Sequence, residues 1–314
     1  MVRRDEPVVT GLRGWSHPLF TRTPDSGRMA KQKAYLIVGL PHTGVPLLTA
    51  ALADHRDALA ELGVRAPAKS VEEMFRAAVE VRREHRAWGL RRRDVEGSWA
   101  DVSRRAAKHK EDVVLGHELL AGATADEIAL LVDGLRGVQL HVVVVAGPPD
   151  ARVALFPDEL DLVSVLDRWE SAAGQPDRVH VLAGGDPWAA LGELVGFDAA
   201  ALPLPDGVAA QPADAASLRL VAEASGVHVD DGELVDLAEH WAEVVADRGY
   251  AVRGDLAALR PSEAAGATDR VGVLSEALVE AVTEIGRLRE QLQDAQAGGR
   301  RRSVRLPGVL VRGA

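Results

Sequence analysis

The chain has no cysteine. Disulfides, cysteine-ligated zinc, iron–sulfur clusters and thiol nucleophiles are therefore excluded. Long apolar runs are missing too. The longest, Leu140 to Ala146, has the length of a strand and falls far short of the ~18 residues that a membrane helix needs. The basic N-terminus is followed by no apolar segment, which argues against a secretory signal and for a cytoplasmic protein. Lysine is scarce, at 5 of 37 basic residues, which reflects GC-rich coding rather than function. The six tryptophans are scattered and form no stripe, so each reads as a packing residue.

What is present is globular. The chain has 314 residues, 47% of them hydrophobic, enough for one large domain or two small ones with a sizeable core. The net charge of −10 is unevenly spread: residues 1–33 carry +4 and residues 299–314 carry +5, which leaves −19 on the middle. An acidic body argues against nucleic-acid binding by the globular part.

Five segments follow along the chain. Residues 1–33 read as a Pro- and Gly-rich lead-in without apolar period, with Met29 a candidate for the translation start in place of Met1. Residues 34–204 alternate strand and helix patterns. Strands are expected at 35–38, 113–115, 138–145 and 179–182. Helices are expected at about 45–62, 70–86, 98–108, 124–136, 158–171 and 188–195. Thr124 and Glu127 form a capping box, and Ser98 is a candidate N-cap. This rhythm predicts an α/β fold, a parallel sheet flanked by helices. The strand signal ends near Leu204. Residues 205–268 read as a linker and helices, with a second capping box at Asp230 and Glu233.

Residues 269–296 read as one long helix, with a heptad of Val271, Leu274, Leu278, Ala281, Ile285, Leu288 and Leu292. Glu284 and Arg289 are expected at positions that can pair across a parallel homodimer; the alternative is a helix lying on its own domain. Residues 297–314 read as a basic disordered tail.

The chemistry concentrates in the loop after the first strand. Gly39, Leu40, Pro41, His42, Thr43 and Gly44 join a buried strand to a helix. That is the setting in which loop N–H groups and a helix N-terminus cradle a phosphate. The two glycines have Walker A spacing, but Val45 and Pro46 stand where that motif has Lys and Ser/Thr, which excludes an ordinary P-loop nucleotidase. Two alternatives remain at this point: an anion or nucleotide site, or a connector kept for packing.

In this loop the chain resembles the P-loop sulfotransferases, in particular the short divergent members common in actinobacteria. Gly39, Pro41, Thr43 and Gly44 stand in register with the family's phosphosulfate loop. The likeness continues through Arg56 to Leu59, Leu62 to Val64, Gly116 to Leu120, His141 to Val145 and Asp177 to Leu182. It implies a P-loop NTPase-like sheet of the sulfotransferase type with a helical C-terminal part. It also implies sulfuryl transfer from the co-substrate PAPS to a hydroxyl or amine, on a small-molecule or glycan acceptor. Gly39, Pro41, His42, Thr43 and Gly44 would then bind the donor. His42 would replace the family's lysine at the bridging oxygen, and His117 or Glu118 would be the base.

The departures are specific. The loop lysine is His42, and an imidazole titrates near ~6.5 in water whereas lysine keeps its charge. The two loop hydroxyl residues are Val45 and Pro46. The arginine that ends the third strand, a 3′-phosphate ligand, is replaced in the segment Ala146 to Asp150. Ser164 is only a distant counterpart of the family's serine. The alternative to an enzyme is a catalytically lapsed member acting as a nucleotide-binding or scaffold module.

Other candidates read as structural. His141 and His180 lie within strands as satisfied core histidines. His240 and Trp241 share a helix with no metal-binding spacing. Arg91, Arg92 and Arg93 are either a solvated run or an attractor for an anionic acceptor.

Overall fold

The computed structural model describes residues 31–205, 218–219, 222–223 and 225–261. The chain runs β1 (Lys33–Gly39), α1 (Val45–Asp54), α2 (Arg56–Glu61), β2 (Val64–Arg65), α3 (Val71–Arg82), α4 (Arg92–Val95), α5 (Ser98–Lys108) and β3 (Asp112–Gly116). A 3-10 turn, Glu118–Gly122, leads to α6 (Ala125–Gly134) and β4 (Gln139–Ala146). Then come α7 (Ala151–Leu155), α8 (Pro157–Leu160), α9 (Leu162–Ala173), β5 (Val179–Ala183), α10 (Pro187–Val195), α11 (Asp231–Asp247) and β6 (Ala251–Gly254). The strands form one six-stranded sheet in the order β2-β3-β1-β4-β5-β6, with every pairing parallel.

Alternate strand residues face opposite cores, and both cores are apolar, which is why β1, β4 and β5 read as continuous apolar runs. Ala34, Leu36 and Val38 pack with Val142 and Val144 under α3, α5, α6, α9 and α11. Tyr35 and Ile37 pack with Val143 and Val145 under α1, α2 and α10. Trp169, Trp188 and Trp241 are fully buried in these layers, and Trp99 nearly so. No helix among the described residues is long and apolar enough to cross a membrane.

The structure differs from the sequence reading in five places, the first being the helix expected over 158–171, which breaks at Asp161 into α8 and α9. The helix expected over 45–62 breaks at His55, whose Nε2 lies 2.6 Å from the Pro203 carbonyl oxygen and whose ring stacks on Trp188. The helix expected over 70–86 stops at Arg82, because Arg83 takes a left-handed conformation (φ 57°). Ser98 is not the N-cap of α5. Glu80, on α3, accepts hydrogen bonds from the N–H groups of Gly97 and Trp99 at 2.7 Å each and caps that helix across the fold. Strands also continue beyond Leu204: β6 adds to the sheet edge beside β5, and α11 anchors behind it through Trp241 Nε1, which donates to Asp161 at 2.7 Å. The capping boxes at Thr124 and Asp230 are both formed. The segment 269–296, the basic tail and residues 1–30 of the lead-in lie outside the described residues, and the lead-in gives way to β1 already at Lys33.

Candidate functional site

The chain leaves β1 toward one face of the sheet, into α1. After β3 and β4, which flank β1, it leaves toward the other face. Departures to opposite faces open a crevice at the carboxyl ends of the strands, the usual ligand position in an open α/β sheet. Three segments meet there: Gly39 to Gly44, His117 to Gly122, and Gly147 to Arg152.

The first segment is a tight turn. Pro41 and His42 occupy its centre, with His42 in a left-handed conformation (φ 63°). The Thr43 N–H and Oγ1–H both donate to the Leu40 carbonyl oxygen, at 3.4 and 2.6 Å. Gly44, at φ 91°, precedes α1, and the N–H groups of Val45 and Leu47 lie in its first turn, where a helix offers donors without an internal acceptor. Gly39 is held by packing: a Cβ there would collide with the Val45 side chain and the Val145 carbonyl.

The second segment carries His117 and Glu118. β3 presses so close to β1 that a Cβ on Gly116 would run into the Ile37 carbonyl, and the His117 N–H donates to that same oxygen at 3.1 Å. His117 is committed to structure. Its Nδ1 accepts from the Leu119 N–H at 3.2 Å, its ring lies 5.7 Å from that of Phe75, and burial pulls its pKa down to about 4. A neutral imidazole whose acceptor nitrogen is occupied is a poor base. Glu118 is different. Burial pushes its carboxyl pKa up, while the nearby charges of His42 and Arg152 pull it back, and among the described residues its carboxylate accepts no hydrogen bond. The turn that carries it is anchored from α9: Trp169 Nε1 donates to the Leu120 carbonyl at 3.2 Å and Arg168 to that of Ala121 at 3.0 Å. Arg82, in ion pairs with Glu84, Glu127 and Glu159, packs against Gly122.

The third segment supplies a residue that no sequence motif marked. Arg152 Nε donates to Asp150 Oδ1 at 2.8 Å and its Nη2 to Oδ2, and that Nη2 also reaches the Pro41 carbonyl at 3.4 Å. The pair ties the β4 end to the β1 loop across the crevice. The only sequence signal available was position, just past the end of the strongest strand.

Other residues singled out from the sequence lie away from the crevice. Ser164 gives its N–H and hydroxyl to Asp161 in the first turn of α9. Arg91, Arg92 and Arg93 are exposed and paired with Asp94 and Glu96. His141 and His180 are buried near the amino ends of β4 and β5, bonded to each other through Nδ1 and Nε2 at 2.9 Å. His240 is exposed on α11. No group of three potential ligands stands within reach of a metal among the described residues.

Compared with known protein families, characterised proteins and solved structures, the chain matches none.

Proposed function

We propose that the crevice binds the phosphosulfate end of PAPS and passes its sulfuryl group to a hydroxyl or amine acceptor, as the resemblance in residues 34–200 implies. The observation that carries this reading is Glu118, a carboxylate with raised affinity for a proton and, among the described residues, no hydrogen-bond partner. It stands beside a strand–turn–helix loop, within electrostatic reach of the side chains of His42 and Arg152. A general base needs that combination of access and raised pKa.

The two ends of the donor fit unequally. The N–H groups at the start of α1 and the side chain of His42 suit the 5′ end. At the 3′ end Ala146 and Gly147 provide no cation, and the nearest guanidinium, Arg152, is gripped by Asp150. PAP therefore binds weakly and is little preferred over adenosine 5′-phosphate. Losing one charge-assisted bond worth about 1.5–3 kcal/mol lowers affinity roughly 10- to 150-fold. The donor supplies an activated sulfuryl group. Glu118 takes the acceptor's proton while the acceptor oxygen bonds to sulfur. The sulfur–oxygen bond to the donor breaks, and its electron pair stays on the nucleotide phosphate beside the loop N–H groups.

One observation favours the other reading, a binding module without turnover: the Thr43 N–H and the Arg152 charge, both of which a donor would use, are spent within the protein. Titration with PAP tests the loop, and an assay of sulfuryl transfer separates the two. Wild type, His42→Lys and His42→Ala are compared at pH 6 and pH 8. Binding by the wild type tightens toward pH 6, His42→Lys binds best at pH 8 with a flatter profile, and His42→Ala binds weakest. Equal binding by all three removes His42 from the site, and no binding at all leaves the scaffold reading.

A further inference from the structure

One surface beside the crevice is built unlike the rest of the body. Of the five tryptophans among the described residues four are buried, and Trp88 is left 48% exposed. It sits in the turn that joins α3 to α4. Arg83, in its left-handed conformation, ends α3, and the Glu84 N–H donates back to the Val79 carbonyl at 3.2 Å. The Trp88 N–H donates to the Glu84 carbonyl at 3.4 Å and the Leu90 N–H to that of His85 at 2.8 Å, so the turn is tied by its own backbone. Phe75 meets the Trp88 ring edge to face, at 5.1 Å and 87°. The Phe75 ring in turn lies 5.7 Å from that of His117, so two ring contacts connect Trp88 to the crevice. Residues 83–93 hold five arginines and one acid, Glu84, in a chain whose middle carries −19. Glu84 is taken by Arg82, and Arg91, Arg92 and Arg93 by Asp94 and Glu96. The side chains of Arg83 and Arg86 are exposed and, among the described residues, have no acidic partner.

We propose that Trp88, Arg83 and Arg86 form a binding surface for an acidic saccharide, a sugar chain that carries carboxylate or phosphate groups. An exposed indole offers its flat face to the C–H side of a sugar ring and its N–H to a sugar hydroxyl. Arginine forks match carboxylate and phosphate oxygens. Two unpaired charges alone would suit any anion; the ring beside them selects one that also has an apolar face. An anionic bilayer fits less well, because a body carrying −19 is repelled from such a surface. On the transferase reading the saccharide is the acceptor, held at the flank of the crevice. The surface itself does not depend on that reading.

The tryptophan is its own reporter. Full-length protein labelled with 5-fluorotryptophan is titrated with tetragalacturonate, neutral maltotetraose and a tetraglutamate peptide, and Trp88→Phe identifies the signal. Tetragalacturonate shifts the Trp88 fluorine signal and leaves those of the buried Trp99, Trp169, Trp188 and Trp241 in place. Maltotetraose and tetraglutamate bind more weakly, because each lacks half of the chemistry. By calorimetry Trp88→Ala weakens tetragalacturonate roughly tenfold, as loss of an aromatic anchor does, and Trp88→Tyr weakens it less. Arg83→Gly, which suits the left-handed backbone, and Arg86→Gln each weaken it about two- to fivefold and together flatten its loss with added salt. If Trp88→Ala fails to fold, the arginine variants still report. An unmoved Trp88 signal, or binding undiminished in these variants, overturns the proposal. So does tetraglutamate that binds as tightly as the saccharide, which marks a site for any anion. So do phosphatidylserine vesicles that shift Trp88 where tetragalacturonate does not. PAP is titrated in parallel. If PAP binds and no saccharide moves Trp88, the surface fails alone. If the saccharide binds as expected and PAP does not, the surface stands and the transferase reading fails.

Discussion

At the carboxyl ends of the strands burial pulls His117 to about 4, and near the amino ends His141 and His180 reach the same value for the same reason. Their surroundings differ. His141 and His180 are stacked at 5.2 Å beside the Tyr35 ring, bonded to each other, on strands fixed by ladders on both sides. His117 sits where a strand ends, next to a carboxylate with no hydrogen bond and a turn stitched to two other segments. A lowered histidine pKa therefore marks burial and does not distinguish a site from a core. The unspent polar group does: Glu118 at one end, against a pair that is spent on itself at the other. One atom of the pair breaks this pattern, since among the described residues His180 Nδ1 is buried with no partner.

The sharpest way to break the comparison is Glu118→Gln. If the crevice is the working end, sulfuryl transfer falls about 10²- to 10⁴-fold, the usual contribution of a general base, while PAP affinity changes little. The same variant reads out on stability. A carboxyl whose pKa is raised by burial costs stability once it is ionised, so the wild type loses stability as pH rises through that pKa. Glu118→Gln removes that loss. Its gain is present at pH 8 and vanishes near pH 4, as urea unfolding across that range shows. A variant no more stable than the wild type at pH 8 would mean that solvent reaches the carboxylate freely.

The amino-end pair gives the next largest effect, with the opposite sign. His141 and His180 are held neutral, so the unfolded chain binds protons that the folded one refuses as pH falls from about 6.5 toward 4. Stability present above the ordinary histidine range is lost through that window, by about 1.4 kcal/mol per pH unit for each histidine held neutral. Lys33, Arg178 and Arg253 add to the penalty, while Asp112 and Asp177 oppose it. Replacing both histidines with phenylalanine flattens most of the acid slope. His117 contributes to what remains, and His117→Asn, whose side-chain oxygen can still take the Leu119 N–H, reduces it further. If the acid slope survives both changes, the histidines are protonated in the fold and the pair is not dry.

Much of this was legible in the chain. β1, β3, β4 and β5 announce themselves because both faces are buried, and the loop at 39–44 and the pair His117–Glu118 follow from lying just past such strands. β2 and β6 were silent because a two- or four-residue edge strand has no run of its own; Ala251 to Gly254 is recognisable only beside β5. Pairings across the fold were silent for a similar reason. Glu80 caps a helix through Gly97, 17 residues away, Arg152 acts through the carbonyl of Pro41, and His55 ends α1 by reaching Pro203. None of these leaves a local pattern. The choice between His117 and Glu118 likewise needed the position of one nitrogen.

The smallest expected effect tests whether the turn under Glu118 is held as the comparison requires. Trp169 is fully buried, and its Nε1–H is the bond that the Leu120 carbonyl receives from α9. Trp169→Phe keeps an aromatic ring and removes the donor. It should cost roughly 1–3 kcal/mol, the range for leaving a buried polar group unbonded. The loss should be local in its consequences: amide exchange in residues 118–122 rises, exchange in β4 and β5 around His141 and His180 does not, and the Glu118 titration moves downward as water gains access to the carboxylate. Restoring tryptophan at 169 together with Arg168→Met then separates the two anchors, because Arg168 holds the next carbonyl, that of Ala121. If exchange rises equally at both ends of the sheet, Trp169 supports the core as a whole. If only the turn loosens, the crevice end depends on anchors that the histidine end does not share.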